Sequence, residues 1–134
     1  MKKRKTIIIA AAIILVSAIV SVCCMNYIEK KNRIVKVEVG DSVSAVIKGD
    51  GSLWMWGYNR RYQLGDGTGK DVKKPKKIMS DVKDVSIGVG LTGAIKKDGS
   101  LWVWGYGYST IGDGITEGAK KPKKITIYIV KEVK

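Results

Sequence analysis

Residues 50–57 read DGSLWMWG, and residues 98–105 read DGSLWVWG. Seven of the eight letters are shared at an offset of 48. Asp-Gly between two apolar runs is a hairpin-turn signal, so each copy predicts a turn followed by a return strand. A half-exposed strand alternates apolar and polar residues. LWMW does not: Leu53 and Met55 fall on one face and Trp54 and Trp56 on the other. A strand apolar on both faces must be covered on both, and stacking copies of a small antiparallel sheet face to face does this.

Working outward, residues 34–59 superimpose on 82–107 at the same offset. LGDGT (64–68) then meets IGDGI (111–115), and KKPKKI (73–78) meets KKPKKI (120–125), both at offset 47. Duplication therefore spans the whole period, giving repeat 1 at 34–81, repeat 2 at 82–129 and the stub of a third at 130–134. VKVEV and VKDVSI read as short β-branched strands. SAVIK and GAIKK lead into the turns, and a last short strand is expected at KKIM and KKITIYIV. GDGTGKDVKKP and GDGITEGAKKP read as turn-rich loops. The expected class is all-β: two propeller-type antiparallel blades, an incomplete β-propeller, after one N-terminal transmembrane helix.

These letters resemble the repeat of the regulator of chromosome condensation family. The first copy matches at Gly40, Asp50, Gly51, Trp56, Gly57, Asn59, Gln63, Leu64, Gly65, Asp66, Gly67 and Thr68. The second matches at Gly88, Asp98, Gly99, Trp104, Gly105, Gly112, Asp113 and Gly114. The resemblance covers about residues 34–134 and implies seven-bladed β-propellers. WD40 repeats want Trp-Asp where this chain has Trp-Gly, and kelch repeats want a Gly-Gly pair. Ser44 and Thr92 stand where the family often has His. The second copy has Gly107 in place of Asn59 and lacks Gln63. Two blades do not close a ring, which implies self-association, docking on another repeat protein, or a fragment of a larger propeller without function of its own.

The N-terminus is of another kind. After Lys2, Lys3, Arg4 and Lys5 come 20 residues without charge, Thr6 to Met25. As a helix they span about 30 Å, the thickness of a bilayer core. Residues 1–5 read as a basic cytoplasmic tail, 6–25 as a transmembrane helix or signal anchor, and 26–33 as a linker. The denser basic cluster is N-terminal, so the N-terminus is expected inside and the repeats outside. A cleaved signal, giving a secreted module, is the alternative; the run is long for that and no clean A-x-A site follows. Lipidation at Cys23 fits poorly because Val22 stands where a small residue belongs.

Lysine and arginine number 25 against 12 acidic residues, for a net charge of +13. Setting the first four aside leaves +9, which favours anionic partners. The paired KKPKK runs place Lys73, Lys74, Lys76 and Lys77 in register with Lys120, Lys121, Lys123 and Lys124, as candidate contacts to an anionic envelope polymer or lipid headgroup. Nucleic acid is not expected. There is no His, and both thiols, Cys23 and Cys24, lie in the apolar run. With no clustered carboxylates either, no catalytic, cofactor or metal residues are assigned and no enzyme is expected. GVGLTG (88–93) spells a dinucleotide-binding loop but precedes a strand rather than a helix. GDGTGKD (65–71) lacks the Ser or Thr of a phosphate loop, and as a calcium loop puts Lys70 at a ligand position. The four Trp are expected in the blade core. Tyr58, Tyr62, Tyr106 and Tyr108 are better candidates for exposure. The repeat signature is Gly51, Trp56, Gly57, Gly65, Asp66 and Gly67, with Gly99, Trp104, Gly105, Gly112, Asp113 and Gly114 in the second copy.

Overall fold

The computed structural model describes residues 2–106 and 118–126. Gly107, Tyr108, the second-copy Gly112, Asp113 and Gly114, and the stub at 130–134 lie outside the described residues. The chain is mixed helix plus strands and divides into two units, residues 1–33 and 34–134.

The first unit is helix α1, Lys2–Asn32. Its apolar residues have no backbone polar groups to spare, because a helix satisfies them within itself. It is the one helix among the described residues long and apolar enough to cross a membrane. Residues 26–32, expected as linker, continue the helix, as do Lys2–Lys5 at its start. No Gly or Pro interrupts the segment. Lys30 and Lys31 occupy its last turn, where cations complement the negative end of the helix dipole. The Arg33 N–H closes that turn on the Glu29 carbonyl at 3.0 Å.

The second unit holds two four-stranded antiparallel meanders. Strands β1 (Ile34–Gly40), β2 (Val43–Lys48), β3 (Leu53–Gly57) and β4 (Val72–Met79) pair in chain order. Strands β5 (Val82–Ile87), β6 (Leu91–Lys96), β7 (Leu101–Gly105) and β8 (Ala119–Ile125) repeat the pattern. The registers also repeat. Ser44, Ala45 and Val46 oppose Trp56, Met55 and Trp54, while Thr92, Gly93 and Ala94 oppose Trp104, Val103 and Trp102. Opposed residues share a face. Each sheet thus has one face of tryptophans and one of smaller aliphatics.

The lysine runs are not loops. They are the outer strands β4 and β8. Met55 pairs with Lys76 and Gly57 with Val72, so the residues between them bulge out of register around Pro75. Val103 with Lys123 and Gly105 with Ala119 repeat the bulge around Pro122. Proline removes one ladder donor, which an edge strand tolerates, and lysines keep an edge from pairing with other chains. The composition that reads as a solvated loop is also that of a protected edge strand.

The core lies between the two sheets. Val43, Ala45, Ile47, Leu53 and Met55 from the first, with Leu64 from the loop after β3, meet Val82, Val85, Ala94 and Trp104 from the second. The aliphatic face of the first sheet is covered by the tryptophan face of the second.

Candidate functional site

The duplicated stretch builds the same device twice. Asp50 Oδ1 accepts from the Ser52 N–H at 2.8 Å and the Ser52 hydroxyl at 2.6 Å. The Ser52 Oγ in turn accepts from the Trp54 indole at 2.9 Å. Asp98, Ser100 and Trp102 reproduce this at 2.9, 2.6 and 2.9 Å. These bonds hold Asp98 below the usual carboxylate range, the Ser100 hydroxyl being the largest cause. The glycine after the second Trp is equally constrained. Gly57 and Gly105 have φ of 119° and 106°. A Cβ there would lie 2.3 Å from the Ser42 carbonyl oxygen and 2.2 Å from that of Gly90. The aspartate fixes the turn, the serine fixes the first tryptophan, and the glycine admits the neighbouring strand.

A polar knot joins the sheets. The Gln63 carbonyl accepts from the Thr92 hydroxyl at 2.8 Å and the Trp104 indole at 2.9 Å. Asp41 Oδ2 accepts from the Gly90 N–H at 2.7 Å and from the Gln63 amide at 3.4 Å. Gly65 sits under the Trp104 ring, where a Cβ would come within 2.6 Å. Buried Asn59 holds the loop that presents Gln63. Its amide donates toward Asp66 Oδ1, the Thr68 carbonyl and the Lys70 carbonyl at 2.7–3.1 Å, and its Oδ1 accepts from the Leu64 N–H at 3.0 Å. Asp66 is only 2% exposed at the side chain and pairs with Lys76 at 2.8 Å. Burial raises its pKa, but hydrogen bonds from Lys76, from the Thr68 N–H and hydroxyl and from Asn59 outweigh that and bring it to about 2.

The outer faces are open. In the first sheet Ile34, Val37 and Val39 are exposed and Trp56 is half-buried. In the second, Ile95 is exposed and Leu101 and Val103 are half-buried. A groove there is lined by Asp84, Val85, Ser86, Gly93, Ile95 and Leu101.

Lys73, Lys74, Lys76, Lys77, Lys120, Lys121, Lys123 and Lys124 are all exposed on the two outer strands. They are not all uncommitted. Lys76 holds Asp66, Lys120 lies 5.1 Å over the Tyr62 ring, and the Lys120 carbonyl accepts from the Gly67 N–H at 3.0 Å. Residues 88–93 form the β5–β6 turn and enter β6, and residues 65–71 form the loop that Asn59 ties together. Among the described residues no three Cys, Asp or Glu side chains gather where they could hold a metal.

The profile of the regulator of chromosome condensation (RCC1) repeat matches residues 50–95, and a second profile of that repeat matches residues 34–63. Residues 34–95 thus match the RCC1 repeat. No curated protein sequence matches it. Among solved structures, the chain is similar to Prp20p from Saccharomyces cerevisiae, a structure described with its binding properties to Gsp1p and histones. There the identity is 22%, over 72% of this chain and 26% of that one, with a TM-score of 0.64. Yeast RCC1 (Prp20), with Kap60 bound to it, aligns at 24% identity over 74% of this chain and 24% of that one, TM-score 0.60. Human WBSCR16 aligns at 23% identity over 69% and 24%, TM-score 0.61. The chain thus spans about a quarter of the length of these proteins, and the likeness is one of fold.

The RCC1 frame clarifies the knot. The match over 50–95 starts at the DGS turn of one sheet and ends in β6 of the next. One sequence repeat therefore contains the contact between two sheets, with Asn59, Gln63 and Thr92 inside it. The letters Asn59 and Gln63 are visible in the sequence, but their role is not, because Gln63 acts on Trp104 through a backbone carbonyl. The signal that was available is the polar cluster Asn59, Asp66 and Thr68 around glycines, which predicts side chains bonding to backbone rather than to solvent.

Proposed function

We propose that this chain is a non-enzymatic protein-binding module, anchored in a membrane by α1 with its N-terminus inside and its RCC1 repeats outside. The observation that carries the binding part is the pair of open sheet faces flanking a fully hydrogen-bonded core. Exposed apolar surface on a folded domain marks an interaction site, and here it lies on the face of each sheet that corresponds, one repeat along, to the other sheet's buried face. Structures with the same fold are described with Gsp1p, histones and Kap60 as partners, all proteins, which supports a protein partner here. The charge-free run behind Lys2–Lys5 supports the anchor.

Photoreactive residues at Val39 and Trp56 of the full chain test this in membranes of expressing cells. Protein adducts at these two positions, absent at Lys83 on the exposed side of β5, are expected. Absence of any protein adduct would overturn the binding reading. Protease added to intact cells should remove the repeats, and their full protection would overturn the topology.

A second reading, retention on anionic envelope polymer or lipid, is favoured by eight exposed lysines on the two edge strands β4 and β8. Replacing all eight by Gln should abolish salt-sensitive retention on anionic vesicles. Equal retention would leave the lysines as edge protection alone.

A further inference from the structure

Shifting by one repeat turns the buried surface of each sheet into the open surface of the other. Val85 is 2% exposed and its counterpart Val37 59%; Val82 is 1% exposed and its counterpart Ile34 53%. In the other direction, Ile47 is 1% exposed and its counterpart Ile95 41%. Leu53 and Met55 are fully buried where Leu101 and Val103 are half-open. The open face of the first sheet is thus of the kind that covers, and the open face of the second is of the kind that is covered.

The polar groups follow the same rule. Thr92 and Trp104 donate across the internal junction. Their counterparts Ser44 and Trp56 bring a hydroxyl and an indole N–H to the open face, and neither donates a hydrogen bond to any described residue. The internal junction is also bridged by Lys36 with Asp84, which are themselves counterparts at offset 48. Moving the junction one repeat along would place Asp84 of one copy beside Lys36 of the next. The charges exchange places and stay opposite. Asp84 is half-exposed, so a second cation can reach it.

We propose that the open face of the first sheet, around Val37, Val39, Ser44 and Trp56, docks head to tail on the groove around Gly93, Ile95 and Leu101 of a second copy of this chain. This rests on the reading of the chain as a protein-binding module and names its partner. Such a heterologous contact closes a ring or extends a filament, depending on the rotation per step.

The internal junction supplies the ruler. A Cβ on Gly40 lies 3.6 Å from the Ile87 Cβ, inside the range that a disulfide requires. The counterpart pair between copies is Gly88 of one with Val39 of the next. The test uses the full chain in detergent micelles with Cys23 and Cys24 replaced by Ser. One preparation carries Gly88→Cys, a second carries Val39→Cys with a distinguishable tag, and the two are mixed and oxidised. The expected result is a mixed disulfide between the two tags, at least tenfold over either self-pair and over a Lys83→Cys control, and lost when Trp56→Asp is added to the Val39→Cys chain. No enrichment of the mixed pair would overturn the proposal. Protein adducts to other chains at Val39 and Trp56, in the absence of this disulfide, would keep the binding module and overturn self-docking.

Discussion

Trp56 and Trp104 occupy the same place in two sheets of nearly the same sequence. Trp104 is fully buried, sits over Gly65 and donates to the Gln63 carbonyl. Trp56 is half-buried on an open face. The local letters, WMWG and WVWG, do not distinguish them. What differs is whether another sheet lies on that side. Burial in a repeat is a property of the neighbour, so the same residue is core in one copy and surface in the next.

Truncation should expose the difference most strongly. Trp104→Ala removes a buried ring and one of the two hydrogen bonds to the Gln63 carbonyl, and should cost about 3–5 kcal/mol. Trp56→Ala should cost about 1–2 kcal/mol, since only part of its area leaves water. Urea unfolding of the full chain in micelles, followed by the remaining Trp fluorescence, measures both. Equal costs would break the comparison. Next come the glycines, where the two sheets should behave alike. Gly57→Ala and Gly105→Ala each force a Cβ into a carbonyl at positive φ, and each should cost about 2–3 kcal/mol in the same assay. The smallest effect is a pH dependence of the loop that presents Gln63. Asp66 is held near 2, below its value in the unfolded chain, so its contribution is present above about pH 4 and lost as pH falls toward 2. A shift of nearly two units is about 2.5 kcal/mol unscreened, and with Lys76 half-exposed to solvent the expected contribution falls to about 1 kcal/mol. Acid titration of wild type against Asp66→Asn should show the wild type losing that excess over this range and the variant not.

The sequence makes the duplication, the DGS turns and the sheet strands legible because each depends on residues close in the chain. Asp50, Gly51 and Ser52 are a local unit, and any copy of those letters folds the same way. The lysine strands are harder to read. Lys73 to Lys77 carry neither alternation nor β-branching, and they join the sheet because β3 offers a free edge. The knot is harder still. Gln63 reaches Thr92 and Trp104 across 29 and 41 residues, through a carbonyl that every residue type possesses. No letter announces that contact; only the stacking of the sheets makes it. The helix end is hidden by polarity, because residues 26–32 are more polar than the run before them while nothing in them stops a helix.

The central claim is that the repeats stack aliphatic face on tryptophan face, one repeat out of step. Gly40→Cys with Ile87→Cys, in the full chain with Cys23 and Cys24 replaced by Ser, reads that stacking directly. The Cβ separation of 3.6 Å predicts a disulfide that forms within one chain under mild oxidation, raises the urea midpoint and leaves the unfolding cooperative. A pair that stays reduced, or that oxidises only after the fold is loosened with urea, would mean that the two sheets do not meet in this register, and the account would be contradicted.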